Sequence, residues 1–277
     1  MSTLELADDL QFILELVQYA SILAMDIYQR DFSVDFKSAD DPVTEADRRV
    51  NEHLCTAIRD RFPHDLVIGE ESGFDGEIPE SGRIWFVDPV DGTSDFVKKN
   101  GEWSIMVGLV VDGVPIMGAV LQPATDELFY ASQGAGAWLR DATGTRRLHV
   151  VNPSRPQDAI VVGSRSHPDP RIEAVKQAVG LEFEYTHGSV GCKLGHIASQ
   201  RAHVYFNFSG RCHMWDTAGP EIILEEAGGM LVDLHGQRIR YTGGSTLVTQ
   251  PFVATVPSLL QPLRDYFDLR PDLQEER

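Results

Sequence analysis

The chain has 277 residues, 42% of them hydrophobic and 24% charged, enough for one large domain or two closely joined ones with a substantial core. The 42 acids against 24 basic residues leave a net charge of −18. That excludes a broad basic face for long nucleic acid, but not a small phosphorylated substrate, because bound cations can reverse the local sign.

Three scattered cysteines, Cys55, Cys192 and Cys212, form no zinc spacing and read as reduced thiols of a cytoplasmic protein. The N-terminus is acidic and lacks the basic start of a secretory signal. The longest apolar candidate, residues 104–122, is broken by Asp112-Gly113, so no membrane span is expected.

Residues 4–28 carry apolar side chains at helical spacing and predict a long amphipathic helix. Thr44 followed by Asp47 reads as a cap with an acid at the third helical position, opening a helix to about Arg61 that Phe62-Pro63 ends. Residues 66–69 form a short strand leading into Glu70-Glu71-Ser72, and residues 83–87 the next one.

There the apolar run stops at Asp88-Pro89-Val90-Asp91-Gly92-Thr93. Two carboxylates three residues apart leave a buried strand at a turn, and ionised acids in such a place are costly unless a cation neutralises them. Hard oxygen ligands on a stiff turn suit Mg²⁺, which takes few carboxylates and holds phosphate oxygens in its other positions. Gly92 and Thr93 add backbone N–H groups and a hydroxyl where a helix is expected to start. A solvated, Asp-capped turn is the plain alternative, and the apolar strand before it argues against that.

Residues 104–111 and 114–121 read as a hairpin around Asp112-Gly113, with further strands near 127–131 and 146–150. After Asn152-Pro153 strands and helices alternate: strand 159–164, helix 170–179, strand 182–185, helix 190–200, strand 203–207, helix 216–227 and strand 230–233. The fold class is α/β, with an α+β half (1–152) followed by an α/β half (153–277) and a boundary between 150 and 158. Residues after Leu269 are polar and expected to fray.

Glu70 is a solvated loop acid or a member of the Asp88–Asp91 cluster. Asp216, opening a helix, is a cap, a ligand or both, and Asp47 beside Thr44 has the same ambiguity. No Walker loop, GxGxxG, HExxH or GxSxG is present, and the nine histidines do not pair at ligand spacing. Carboxylates, a threonine and oriented N–H groups together support attack of a metal-activated water on phosphorus.

The segments DPVTEAD (41–47), GEES (69–72), WFVDPVDGTSDF (85–96) and WDTAGPEIILEEAGG (215–229) resemble, in this order across nearly the whole chain, the inositol monophosphatase superfamily of Mg²⁺-dependent, lithium-sensitive phosphatases. The resemblance implies a layered αβαβα sandwich with the site between its halves. It also implies that Glu70, Asp88, the carbonyl of Val90, Asp91 and Asp216 bind two or three Mg²⁺. Thr93, oriented by Asp47, would place the attacking water beside Glu70, and the N–H groups of Gly92 and Thr93 would hold phosphate oxygens.

Within the superfamily, SDFVKKNGEWSIMVGLVV (94–111) and VGSRSH (162–167) are similar to bisphosphate nucleotidases of the CysQ type. That likeness implies a 3′(2′),5′-bisphosphate nucleotidase acting on adenosine 3′,5′-bisphosphate. Arg165, His167, Gly188, Ser189 and Lys193 would meet its second phosphate and sugar. Inositol enzymes usually carry Glu seven residues before the Asp of WD, where this chain has Ser209; Pro220 replaces a common glycine and is expected in the first turn of its helix. The alternatives are the same chemistry on a polyol phosphate such as inositol 1-phosphate, and a non-catalytic metal or nucleotide sensor. The sequence leaves a homodimer open.

Overall fold

The computed structural model describes residues 3–38, 41–74, 76–270 and 273. Helix α1 (Thr3–Tyr28) buries Ile13, Val17, Ala20, Ala24 and Ile27 completely, a spacing of three and four that makes one apolar face. It is a longer apolar stretch than residues 104–122, long and apolar enough by composition to cross a membrane, and here that face packs against a sheet. Strands β1 (Val34–Ser38) and β2 (Asp41–Thr44) form an antiparallel hairpin ahead of helix α2 (Glu45–Arg61).

A seven-stranded sheet follows, its strands side by side in chain order: β3 (Leu66–Gly69), β4 (Arg83–Asp91), β5 (Ser104–Val111), β6 (Val114–Gln122), β7 (Glu127–Ser132), β8 (Gly136–Asp141) and β9 (Gly144–Arg147). β3 and β4 are parallel and the rest antiparallel. The short helix α3 (Thr93–Val97) leaves the end of β4.

The rest of the chain supplies β10 (Ile160–Ser164), α4 (Arg171–Val179), β11 (Phe183–His187), α5 (Val190–Ala198), β12 (Val204–Asn207), β13 (Cys212–His213), α6 (Met214–Glu226), β14 (Met230–Asp233), β15 (Leu247–Val248), β16 (Phe252–Thr255) and α7 (Pro257–Asp268). Five of these strands form a second sheet in the order β11-β10-β12-β16-β14, while β13 and β15 pair by themselves.

The layers are α1 with α2, the seven-stranded sheet, α5 with α6, the five-stranded sheet, and α4 with α7: an αβαβα sandwich. Two apolar cores fill it, one under α1 and α2 and one around α5 and α6. Helix α6 lies almost on the backbone of β5 and β6. Gly108 and Gly118 are cross-strand partners, and a Cβ at either would stand 2.5 Å and 2.2 Å from backbone atoms of Gly219. Only three glycines in register allow this approach, and it brings the start of α6 to the acids at the end of β4.

Several expectations change. β4 does not stop at Val87 but runs on through both acids to Asp91. The strand expected at 146–150 is β9, at 144–147. β1, β2, β8, β16 and α7 were not legible. β16 enters antiparallel between β12 and β14, so the second sheet is mixed. α6 starts two residues before Asp216, which puts Pro220 inside the helix rather than in its first turn. A proline there cannot donate to the carbonyl four residues back, that of Asp216. Of the tail after Leu269, residues 271, 272 and 274–277 lie outside the described residues; Leu269 is exposed and Leu273 buried.

Candidate active site

Residues i and i+3 of a regular strand face opposite sides. Asp88 shares a face with Ile84 and Phe86, toward α5 and α6; Asp91 by the same count would join Trp85 and Val87, toward α1 and α2. The register prevents this. Asp88 pairs with Met106 and Asp91 with Ser104, three residues against two, so β4 carries a bulge. The extra residue turns Asp91 back to the side of Asp88, and Pro89, which has no N–H to offer a ladder, falls within the bulge. Gly92 then takes φ +93° and hands the chain to α3.

Asp216 completes the cluster. One carboxylate oxygen from each of Asp88, Asp91 and Asp216 lies within 4.8 Å of the others. Asp216 stands at the third position of α6 and its Oδ2 accepts the His213 N–H at 2.6 Å, so one oxygen secures the helix start. Asp91 Oδ2 accepts the Ser189 hydroxyl at 2.5 Å and the Gly191 N–H at 2.9 Å, both at the start of α5. Asp88 Oδ1 accepts the Val90 N–H at 3.1 Å.

Asp47 repeats the arrangement of Asp216 on α2. Its Oδ2 accepts the Thr44 N–H at 2.8 Å and the Thr44 hydroxyl at 2.6 Å; its Oδ1 is left to the Thr93 hydroxyl at 3.0 Å. The Val90 carbonyl lies 3.1 Å from the same hydroxyl.

Burial dominates the electrostatics. It raises Asp88, which is 1% exposed, well above the ordinary carboxylate range, and repulsion from Glu70, Asp91 and Asp216 adds to it. Burial raises Asp216 to about 7, with Asp91 adding repulsion. It raises Glu70 to about 8, although Lys37 opposes the shift. Asp91 is also raised by burial, against the attraction of Lys193 and the bonds from Ser189 and Gly191. Asp88, Asp91 and Asp216, which resist ionising together, are a donor set suited to a hard divalent cation; Glu70 stands outside that cluster of three and pairs with Lys37.

Lys37 on β1 bonds Glu70 Oε1 at 2.8 Å and also pairs with Glu71. Sequence reasoning missed it, because β1 is short and mostly exposed.

The residues expected to meet the rest of a substrate are placed differently from one another. Arg165 forks onto Glu102 at 2.5 and 2.6 Å and also reaches the Thr186 carbonyl. Glu102 in turn accepts the Gly188 N–H at 3.0 Å on its carboxylate and the Ser189 N–H at 3.0 Å on its carbonyl. Gly188 sits so close to Asp95 that a Cβ would stand 2.3 Å from its carboxylate.

Ser189 is fully buried. Its hydroxyl caps α5 through the Cys192 N–H and bonds Asp91 and Ser104, so it bears on Asp91 rather than on open space. Lys193 is buried too. Its ammonium bonds the carbonyls of His187 and Gly188 and stands 5.0 Å from the Tyr205 ring centre. His167 lines an open cavity with Lys98 and Arg211. Ser209, at the position where inositol enzymes carry Glu, bonds Asn207. Glu102 lay in view within the NGE run but had no assigned role, and Arg211 carried no signal at all.

Comparison with known proteins bears on this arrangement. The family model described as "Inositol monophosphatase family" matches residues 5–263. The 3′(2′),5′-bisphosphate nucleotidase CysQ of Salmonella typhimurium is 31% identical over 250 residues, covering 89% of this chain and 99% of that protein. A histidinol-phosphatase of Chlorobaculum parvum is 32% identical over 233 residues, covering 83% and 87%. Among solved structures, the IMPase of Thermotoga maritima superposes with a TM-score of 0.80 at 24% identity, covering 96% of this chain and 99% of that one.

Proposed function

This chain belongs to the inositol monophosphatase family and is a phosphatase of small phosphorylated substrates; from that premise we propose that it is a Mg²⁺-dependent 3′(2′),5′-bisphosphate nucleotidase that converts adenosine 3′,5′-bisphosphate and water to AMP and phosphate. The observation that carries the chemistry is the convergence of Asp88, Asp91 and Asp216 beside the Asp47–Thr93 pair. The similarity to the CysQ nucleotidase over most of both chains supports the substrate.

Glu70, Asp88, the Val90 carbonyl, Asp91 and Asp216 would hold two or three Mg²⁺. When bound, Mg²⁺ supplies positive charge against the phosphate oxygens and makes a coordinated water more acidic. The Thr93 hydroxyl donates its proton toward Asp47 or Val90, so it presents lone pairs to the attacking water and fixes its direction. Glu70, held charged once a cation is bound, would align that water together with Thr93. The N–H groups of Gly92 and Thr93 hold phosphate oxygens as negative charge moves onto them. The water oxygen bonds phosphorus as the P–O3′ bond breaks, and the departing 3′-oxygen takes a proton from solvent to leave as a hydroxyl. Ser189 acts by holding Asp91 in place.

The reading places the enzyme in the cytoplasm, where its free, buried cysteines stay reduced, and treats α1 as a core helix rather than a membrane anchor. A second substrate class is favoured by the relative named as a histidinol-phosphatase. The test is phosphate release with Mg²⁺ from adenosine 3′,5′-bisphosphate, inositol 1-phosphate, fructose 1,6-bisphosphate and histidinol phosphate, side by side. The highest kcat/KM is expected for the bisphosphate nucleotide; a large preference for any of the others overturns the substrate assignment. No release from a wide panel, with tight Mg²⁺-dependent nucleotide binding, marks a sensor instead.

A further inference from the structure

Asn207, the last residue of β12, uses every polar atom of its side chain. Its Oδ1 accepts the Ser209 N–H at 2.9 Å and the Ser209 hydroxyl at 2.8 Å. Its Nδ2 donates to the Tyr205 hydroxyl at 3.0 Å and to Cys212 Sγ at 2.9 Å. With donors facing the oxygen and acceptors facing the nitrogen, the amide has a single orientation. The backbone beneath it belongs to the second sheet, where Asn207 pairs with Phe252 of β16. Asn207, Tyr205 and Cys212 are all buried. A polar network taken this far from water is stable only when every member is satisfied, and the mechanism above gives it no task.

The network leads to the acids. Cys212 lies four residues before Asp216. Its sulfur accepts from Asn207, so the thiol proton is turned away from the amide. That proton goes to Asp216: burial raises this carboxyl, and the His213 N–H and the Cys212 thiol are among the donors that draw it back. Burial, with repulsion from Asp216 and Asp91, keeps the thiol well above its ordinary range, so it remains a donor. The backbone at the start of α6 is anchored from another side. The Met214 N–H bonds the Thr246 carbonyl at 2.7 Å, and His213 Nδ1 lies 2.9 Å from the Thr246 hydroxyl. Those bonds place the helix. One bond from the His213 N–H still lets the Asp216 carboxylate swing about it, and a second hold fixes its plane.

We propose that Asn207 is a positioning residue for the metal centre: through the Cys212 thiol it fixes the plane of the Asp216 carboxylate, so that Asp216 meets a divalent cation together with Asp88 and Asp91. This rests on the metal assignment in the reading above and adds a support that touches neither substrate nor cation.

The test is the Kd for Mn²⁺ alone, read from the electron paramagnetic resonance of the unbound ion, with kcat and KM measured beside it. The proteins are the full-length wild type, Asn207→Ala, Cys212→Ala, Cys212→Ser and the Asn207→Ala/Cys212→Ala pair. Each alanine variant is expected to weaken Mn²⁺ binding about 10- to 100-fold, the range for losing the partner of a metal ligand. At saturating Mg²⁺ the substrate KM should change less than about threefold. Cys212→Ser keeps a donor and should hold the Mn²⁺ Kd within about fivefold of wild type. The double variant should bind within about twofold of Asn207→Ala, because two links of one chain are lost together. Losses that add in the double variant, or a Cys212→Ser as weak as Cys212→Ala, overturn the proposal. So does a lowered unfolding midpoint with Mn²⁺ affinity unchanged, since the network then supports the fold alone. Asp216→Asn separates the two levels. Mn²⁺ binding that weakens in Asp216→Asn but not in the Asn207 and Cys212 variants sinks this inference alone. Binding that is unchanged in Asp216→Asn sinks the metal assignment as well.

Discussion

Asp88, Asp91 and Asp216 owe their positions to backbone: a bulge in β4, and the start of a helix laid on glycines of β5 and β6. Arg165 and Gly188 owe theirs to one carboxylate, that of Glu102, whose backbone carbonyl also accepts the Ser189 N–H. The acid side is thus fixed by elements that the core already orders. The opposite wall is fixed by polar side chains that can exchange partners. The contrast teaches where to expect the largest losses: damage on the acid side removes chemistry for every substrate, while damage to the Glu102 network leaves those acids in place.

The largest expected effect breaks the acid side. Asp91→Asn should lower kcat by about 10³-fold or more on every substrate, the scale of losing a main electrostatic element. Steady-state assays at saturating Mg²⁺ check it, and near-wild-type turnover would remove Asp91 from the metal set. Thr93→Val keeps the shape and removes the hydroxyl that Asp47 orients. A fall of about 10²-fold in kcat with KM nearly unchanged is expected, as for a group that acts on the attacking water. If KM rises and kcat does not, Thr93 binds rather than orients.

Glu102→Ala addresses the opposite wall. It frees Arg165 and the Gly188 N–H, and a roughly 10-fold loss in kcat/KM is expected, with Glu102→Gln retaining part of the activity. An equal loss in both variants would mean that charge, not hydrogen-bond placement, is what Glu102 supplies.

Smaller effects appear in stability. Mg²⁺ at 100 times its Kd should raise the unfolding midpoint by about 5–10 °C, since binding contributes about 2.7 kcal/mol there. Without Mg²⁺, Glu70 at about 8 and Asp216 at about 7 lie above their ordinary values, so between pH ~4 and ~8 the folded chain binds more protons than the unfolded one. Stability then falls as pH rises through that window. Chelator-treated protein should melt progressively lower from pH 5 to pH 8, and Mg²⁺ should flatten the slope. A flat profile without metal would show that the acids do not crowd one another.

The same contrast governs what could be read from sequence. The acids were legible because an apolar strand ending in DPVD is chemically improbable without a cation. The bulge that turns Asp91 inward was not, since periodicity alone would have sent it to the other face. Asp47 and Asp216 announced themselves as helix-start acids; both spend one oxygen on that role, and Asp47 gives its other to the Thr93 hydroxyl. On the opposite wall, serine and lysine types were legible but their destinations were not: Ser189 and Lys193 are buried, bonded to Asp91 and to carbonyls. β1 stayed hidden because its residues are mostly exposed, and β16 because strand insertion against chain order leaves no local trace.

The central claim is that Asp88, Asp91 and Asp216 form one cation site. Crystals grown with Mn²⁺ in place of Mg²⁺ and measured at the manganese absorption edge test it most directly. The account predicts at least one anomalous peak among these three carboxylates, lost in Asp91→Asn. Manganese bound elsewhere, with this cluster bare, would contradict it.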